Sequence, residues 1–174
     1  NVWENGPLTY IIGGSLIRMD SLSIFLSLVA LILGGSVCMY SAGYMEDDQG
    51  QEYYYTLLLL MVAGIIGIGL STDLLVLYLF FELMSIPSYA LVTFRRHEWM
   101  AIEAGIKYMI MGALGSVIAL FGISLIYIQT RTLNFDILIG SLKNTYVIQG
   151  ALIFIIIGFG VKAAIVPLHT WLPD

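Results

Sequence analysis

The stretch LLVLYLFFELMSIPSYALVTF, residues 74–94, decides what kind of protein this chain is. It is an apolar run long enough for a helix to cross about 30 Å of hydrocarbon, yet Glu82 lies near its middle. No lysine or arginine occurs within ten residues of that carboxylate in either direction. Because an ionisable side chain at this depth is costly and usually functional, the stretch predicts a membrane helix whose acid takes part in function or pairs with a cation.

The composition extends this interpretation to the whole chain. Its 174 residues are 59% hydrophobic and 11% charged, whereas soluble domains contain about 25% charged residues. We therefore predict an all-α, multi-pass integral membrane protein, in the cell membrane of a prokaryote or an inner organelle membrane. The net charge of −5 arises mostly in loops, so it says little about partners. The lipid bilayer is an expected partner of such a chain, and no stretch is basic enough to bind nucleic acid.

The apolar segments predict about five transmembrane helices. We expect a transmembrane bundle over residues 20–174, preceded by an interfacial segment, 1–19, that forms a short hairpin or loop. The predicted helices cover residues 21–43, 53–70, 74–94, 101–129 and 146–166. Acidic residues are expected at or near helix starts, where the helix dipole favours them: Asp20, Asp73, Glu98 and Glu103.

Two further features are the orientation of the chain in the membrane, which the apolar segments do not decide, and the residues at its two ends. The basic residues on the two sides are too evenly divided for the positive-inside rule to decide: Arg18, Arg131 and Lys143 against Arg95 and Arg96. The first residue is not Met and the last motif stops without a polar tail. We therefore expect the chain to be one piece of a longer polypeptide.

The residue types in the sequence do not indicate a cofactor site. Cys38 is the single cysteine, which excludes an internal disulfide and a zinc or cluster site built from cysteines. We expect it to be a small buried hydrophobe. No cofactor motif occurs, so we predict no cofactor or metal in this chain and place any redox chemistry elsewhere.

Glu82 and Lys107 form the first candidate pair for proton transfer. Glu82 lies roughly 18 Å, and Lys107 roughly 10 Å, from the same membrane side when depth is counted along the helices. A lysine side chain and one water cover the difference, so we predict a pair between neighbouring helices. Two alternatives stay open: Lys107 pairs with Glu103 on its own helix, or a neutral Glu82 hydrogen-bonds to Ser85 or Ser88.

Lys162 is predicted to lie beside a break in the last helix. Pro167 has no N–H, which leaves the carbonyl of Ala163 without its helical donor, and Gly158 and Gly160 are expected to soften the preceding turn. A broken helix at membrane depth is tolerated only inside protein or beside water, and such breaks carry ion sites in transporters. Alternatively, Lys162 extends to an interface.

His169 follows the predicted break at Pro167. It is a candidate fourth member of a proton relay with Glu82, Lys107 and Lys162. A hydrogen-bonded structural role is the alternative, because an isolated histidine near a helix break commonly has one.

Three stretches together resemble a known family: DLLVLYLFFELMSIPSYAL (73–91), EAGIKYMIMGALGSVIALFGISLIY (103–127) and GFGVKAAIVPLHTWLPD (158–174). They are similar to the antiporter-like membrane subunits of respiratory complex I, membrane-bound hydrogenases with related archaeal complexes, and multi-subunit (Mrp-type) sodium/proton antiporters. The first two stretches resemble the N-type branch, and the third resembles the M-type and hydrogenase branch. The mixture suggests a hydrogenase-like or archaeal relative.

The resemblance implies a fold, a function and a role for each residue. Full members have about fourteen helices in two inverted five-helix repeats, with the last helix of this chain discontinuous at Pro167. Glu82 matches the family carboxylate, Lys162 the lysine of the broken helix, and Lys107 a lysine thought to modulate the Glu. Since the chain covers neither the first two helices nor the second repeat, a complete half-channel is not assigned to it alone.

Three functions are considered on this basis. The first is a proton-translocating subunit of a redox-driven complex, either a complex I-like NADH or F420H2:quinone-type dehydrogenase or a membrane-bound hydrogenase. The second is a subunit of a multi-subunit sodium/proton antiporter. The third is a structural membrane subunit whose charges are vestigial. The resemblance favours the first and implies other membrane subunits as partners, including the remainder of the antiporter-like fold.

Overall fold

The computed structural model describes residues 7–12, 15–142 and 145–172, with the backbone alone for 8–12 and 15–16. The chain divides into two compact units. The first consists of residues 1–72 and 76–94, and the second of residues 73–75 and 95–174.

The first unit contains a small hairpin and three membrane helices. Strands β1 (Leu8–Ile12) and β2 (Ser15–Met19) pair antiparallel, with Leu8 opposite Met19 and Ile12 opposite Ser15. Gly13 and Gly14, which come between the two strands in the sequence, lie outside the described residues. The helices are α1 (Ser21–Tyr44), α2 (Gln51–Leu70) and α3 (Leu74–Val92), whose first two residues belong to the second unit.

The second unit is built on two long helices and a short one. Helix α4 (Trp99–Thr130) is followed by α5 (Phe135–Ser141) and α6 (Tyr146–Lys162). The sequence predicted no structure around α5, which Asn134 caps by accepting a hydrogen bond from the Asp136 N–H at 3.0 Å. A buried cluster holds α5 against the long helices: Ile126, Leu138, Ile148 and Ala151.

Polar side chains begin several of these helices. Asp20 and Ser23 form a reciprocal capping box on α1, in which each side chain accepts from the other residue's N–H at 2.7–2.8 Å. At α3, Asp73 Oδ1 accepts from the Leu75 N–H at 2.8 Å. Glu98 occupies the cap position of α4 without a side-chain bond to the helix. The side-chain acceptors of Asp20 and Asp73 satisfy N–H groups that have no partner inside the helix.

Glycines allow the helices of each unit to approach closely. In the first unit, a Cβ on Gly64 would lie 2.6 Å from the backbone nitrogen of Met84, which brings α2 directly against α3. In the second unit, a Cβ on Gly158 would lie 2.6 Å from the carbonyl oxygen of Gly115, which brings α6 against α4. Small residues in lipid permit this backbone proximity.

The helices are membrane helices by length and composition. Among the described residues, α1 to α4 are long and apolar enough to span a bilayer, and α6 is a shorter apolar helix of 17 residues. The chain is therefore an integral, multi-pass membrane protein, as predicted. Cys38 corrects one expectation, because it lies exposed on α1 rather than buried. On a membrane helix, a small apolar side chain can contact lipid as well as other protein side chains.

Four of the ten predicted helix ends agree with the structure, and the other six differ by one to four residues. Helices α2 and α4 each begin two residues earlier than expected, and α3 ends at Val92. The largest difference is in α6, which ends at Lys162 instead of residue 166. Apolar residues continue past Lys162, so hydrophobicity alone overestimates the length of this helix.

Candidate functional site

Glu82 lies in the middle of α3 and is half-buried. Its neighbours Phe80 and Met84 face α2, since they are the residues that a Cβ on Gly67 or Gly64 would meet. Because successive helical residues are rotated by about 100°, position 82 lies on the face of α3 opposite those contacts. The glycines of α2 therefore fix α3 from one side and leave the carboxylate on the other.

A proline makes the helix irregular next to this carboxylate. Pro87 is buried inside α3, five residues after Glu82. Having no N–H, it cannot donate to the carbonyl of Leu83. Ser85 donates its hydroxyl to the carbonyl of Phe81 at 2.6 Å, and Ser88 donates to the carbonyl of Ser85 at 2.6 Å. A carbonyl without its helical donor and two serine hydroxyls thus lie within a few residues of the acid.

Lys107 forms an ion pair within its own helix. Its Nζ lies 2.9 Å from Glu103 Oε1, four residues earlier on α4, and the two side chains are 43% and 50% exposed. This is the intrahelical alternative that the spacing had left open. The pair predicted between Lys107 and Glu82 would join the two separately described units, and it stays a prediction.

Lys162 is the last residue of α6, and the structure explains why the helix stops there. The N–H of Ile165 donates to the carbonyl of Gly160 at 2.9 Å, and that of Ala164 donates to the carbonyl of Val161 at 3.2 Å. Ala164 has a left-handed backbone, with φ of 52°. Together these features form a Schellman motif, which places a half-buried lysine at the C-terminal end of a helix.

Pro167 therefore lies in the turn that follows the helix end, and the break begins ahead of it. The sequence had assigned the break to the missing N–H of Pro167. In the structure the helical bonds are already replaced at Ala164 and Ile165, so the carbonyl of Ala163 no longer depends on Pro167. The Val166–Pro167 peptide is cis.

Gly158 and Gly160 take part in close packing and in the end of the helix, and the predicted softening of the turn stays a prediction. Both are buried residues within α6. A Cβ on Gly158 would be 2.6 Å from Ala119 and from the carbonyl oxygen of Gly115. Gly160 supplies the carbonyl that receives the long bond of the Schellman motif.

His169 lies in the segment that follows the helix end and is half-buried. Its backbone carbonyl accepts the N–H of Leu172 at 3.0 Å. Its Nδ1 atom is buried, and no hydrogen-bond partner for it occurs among the described residues. A buried ring nitrogen of this kind is a natural contact for an ordered water.

Trp171 was missed by the sequence reasoning. Its indole Nε1–H donates to the carbonyl of Val161 at 2.8 Å, next to Lys162. A tryptophan buried in a membrane protein needs an acceptor for its N–H, so its presence after a helix break was a usable signal. Which carbonyl it reaches depends on how the chain turns back. No group of acidic, cysteine or histidine side chains suited to a metal ion occurs within the described part of the chain.

Residues 71–174 match the family model described as NADH:quinone oxidoreductase/Mrp antiporter, transmembrane. Residues 16–55 match a second model, described as the N-terminus of complex I chain 5. The chain belongs to this family of antiporter-like membrane subunits. The resemblance found in the three sequence stretches is thereby confirmed.

Two curated relatives place the chain near the N-type branch. F(420)H(2) dehydrogenase subunit N of Methanosarcina mazei is 32% identical, over 98% of this chain and 35% of the relative. NADH-quinone oxidoreductase subunit N of Herminiimonas arsenicoxydans is 37% identical, over 92% of this chain and 34% of the relative. The chain thus spans about a third of the length of these proteins.

Solved structures share the same architecture. Respiratory complex I from Thermus thermophilus contains a chain with a TM-score of 0.78 and 29% identity, matched over 99% of this chain and 36% of that one. An archaeal membrane-bound sulfane sulfur reductase gives 0.81 and 29%, over 99% and 37%. The Mrp complex from Dietzia gives 0.78 and 27%, over 95% and 32%. The two units of this chain therefore form part of a larger antiporter-like fold.

Proposed function

We propose that the protein containing this chain is a proton-translocating membrane subunit of a redox-driven complex. Its family includes subunits of NADH-quinone and F(420)H(2) dehydrogenases. The observation that carries the proposal is Lys162, a half-buried lysine at the end of a 17-residue apolar helix. At about 1.5 Å per residue, this helix is about 25 Å long, shorter than the hydrocarbon core.

The position of Lys162 suits proton transfer for two physical reasons. The carbonyl groups at a helix C-terminus attract a cation, which stabilises the ammonium where lipid alone would disfavour it. An interrupted helix at membrane depth also needs water or protein around its polar backbone. A lysine at such a helix end can bind and release a proton while its side chain stays inside the protein.

Glu82 is the proposed acid partner in the relay. In general, a nearby cation stabilises a carboxylate, and a carboxyl group can take up a proton when the cation moves away. Lys107 is the proposed source of the charge, and its ion pair with Glu103 represents the state in which it is held on its own helix. His169, with a buried ring nitrogen, is the proposed continuation beyond the helix end.

The proposed partners are the remainder of the antiporter-like fold and the other membrane subunits of a respiratory complex. Electron transfer and its cofactors belong to those subunits in this proposal. The role of this chain is to carry part of the proton path and to respond to a change elsewhere in the complex.

The test is proton pumping by the assembled complex in vesicles, measured together with electron transfer. Glu82→Gln and Lys162→Ala are expected to abolish or strongly reduce pumping. Glu46→Gln and Arg96→Ala are matched controls, because both residues are exposed and lie outside the proposed path. Normal pumping by both relay variants would refute the proposal.

A second function is favoured by one observation, the similarity to a chain of the Mrp complex. The site would be the same, but a sodium gradient would replace the redox reaction as the driving force. Sodium dependence separates the two functions: redox-driven pumping persists without sodium when its electron donor is supplied, whereas antiport requires sodium. A purely structural subunit would tolerate the relay substitutions in either assay.

A further inference from the structure

The segment after α6 folds back onto the end of that helix through Trp171. The indole Nε1–H of Trp171 donates to the carbonyl of Val161 at 2.8 Å. The indole ring stacks on Tyr108 of α4, with centroids 4.3 Å apart and planes 17° apart. All three residues lie in the second unit, and together they are called here the Trp171 clamp.

The hydrogen bond of the clamp replaces one that the helix loses as it ends. In a continuous helix, the carbonyl of Val161 would accept the N–H of Ile165. That N–H instead donates to Gly160. The Val161 carbonyl receives the Ala164 N–H at 3.2 Å and the indole N–H at 2.8 Å. Since a poorly satisfied carbonyl is costly away from water, Trp171 stabilises this helix end.

The clamp also links the immediate neighbours of two candidate relay lysines. Tyr108 directly follows Lys107 on α4, and Val161 directly precedes Lys162 on α6. Val161 is 3% exposed and is held from the α4 side as well, because a Cβ on Gly115 would be 2.9 Å from its Cβ. Its side chain and its carbonyl are therefore both fixed.

We propose that Trp171 is a positioning residue for Lys162. It keeps the end of α6 closed and holds the Lys162 backbone at a set distance from the turn of α4 that carries Lys107. This inference rests on the proposed function of Lys162 in proton translocation. Loosening the clamp frees the helix end, so Lys162 loses its fixed position and the coupling of proton movement to electron transfer weakens.

The first test measures opening of the helix end without reference to activity. Val161→Cys, in a Cys38→Ala background, places a thiol at a buried position whose labelling requires the helix end to open. In membranes containing the full assembled complex, Trp171→Phe is expected to accelerate labelling by a water-soluble maleimide about fivefold, the equivalent of one net hydrogen bond. Trp99→Phe is the matched control, because Trp99 is 75% exposed at the start of α4.

A second variant changes the residue that α4 contributes to the Trp171 clamp. Tyr108→Leu removes the stacked ring while leaving the indole hydrogen bond, and it is expected to accelerate labelling in the same direction. Tyr127→Leu is its control, since Tyr127 is 48% exposed on the same helix. Labelling rates equal to those of the controls in both clamp variants would overturn the proposal.

The second test measures coupling, with Glu82→Gln assayed in parallel. Trp171→Phe is expected to lower the number of protons pumped per electron and to shift the pH profile of pumping, while electron transfer continues. If Glu82→Gln abolishes pumping but Trp171→Phe leaves yield and pH profile unchanged, the positioning role is wrong and the proposed function stands. If Glu82→Gln and Lys162→Ala both pump normally, the proposed function is wrong, and faster labelling then supports the clamp as a structural device alone.

Discussion

Lys107 Nζ lies 2.9 Å from Glu103 Oε1, one turn earlier on α4, in a pair whose side chains are about half exposed. Because both side chains belong to one turn of one helix, the pair can break by rotation of the side chains alone. Lys107 is therefore held in this structure without being committed to it, as a mobile charge in a relay requires.

Glu103→Gln tests whether this pair matters for function. Loss of the pair should lower the midpoint of thermal unfolding only slightly, because the pair joins two residues of a single helix turn and no contact between helices is removed. We nevertheless expect the rate of proton pumping to change, since Lys107 loses its Glu103 partner. Thermal unfolding and pumping of the assembled complex are the two measurements, with the exposed Glu98→Gln as control. Identical pumping in both variants would assign the pair to local helix stability.

Gly158→Ala tests the contact between α6 and α4. The added methyl group would meet Ala119 and the carbonyl oxygen of Gly115 at 2.6 Å, and overpacking of this sort costs roughly 1–3 kcal/mol. The midpoint of thermal unfolding should therefore fall. Gly150→Ala, on the same helix, is the matched control, because a Cβ there meets nothing within 4 Å. Equal midpoints for the two variants would show that the helices adjust freely.

Gly64→Ala tests the corresponding contact between α2 and α3. Its methyl group would lie 2.6 Å from the backbone nitrogen of Met84, and a backbone atom cannot move aside without displacing the helix. We expect destabilisation of roughly 1–3 kcal/mol and reduced pumping, since α3 carries Glu82. Gly35→Ala, which meets nothing within 4 Å on α1, should leave pumping unchanged and should not lower thermal stability. Full activity in Gly64→Ala would mean that Glu82 does not depend on this contact.

Ala164→Gly tests the left-handed residue that ends α6. Ala164 has φ of 52°, a conformation that is unfavourable for an alanine and free for a glycine, so the substitution should stabilise the protein by roughly 0.5–1 kcal/mol. Ala163→Gly should act in the opposite direction by a similar amount, since Ala163 has φ of −76°. The sign of the change in unfolding temperature for each variant is the measurement. The same sign in both would contradict the Schellman motif.

The sequence by itself determined that this is a helical membrane protein, where its membrane segments lie, and which ionisable residues deserve attention. Membrane insertion depends on the apolar length of a single segment, and helix capping depends on residues within one turn, as with Asp20 and Ser23. Both are local properties that can be read along the chain. The family resemblance depended on local motifs in the same way.

Only the tertiary structure decided where α6 ends, why Gly158 is a glycine and which carbonyl Trp171 reaches. It also shows Glu103 as one partner of Lys107. The termination of α6 depends on hydrogen bonds that compete within one turn. Trp171 contacts Val161, which is 10 positions earlier in the chain, and Tyr108, which is 63 positions earlier. Such contacts are set by how the chain folds back on itself, and no periodicity or motif along the sequence encodes them.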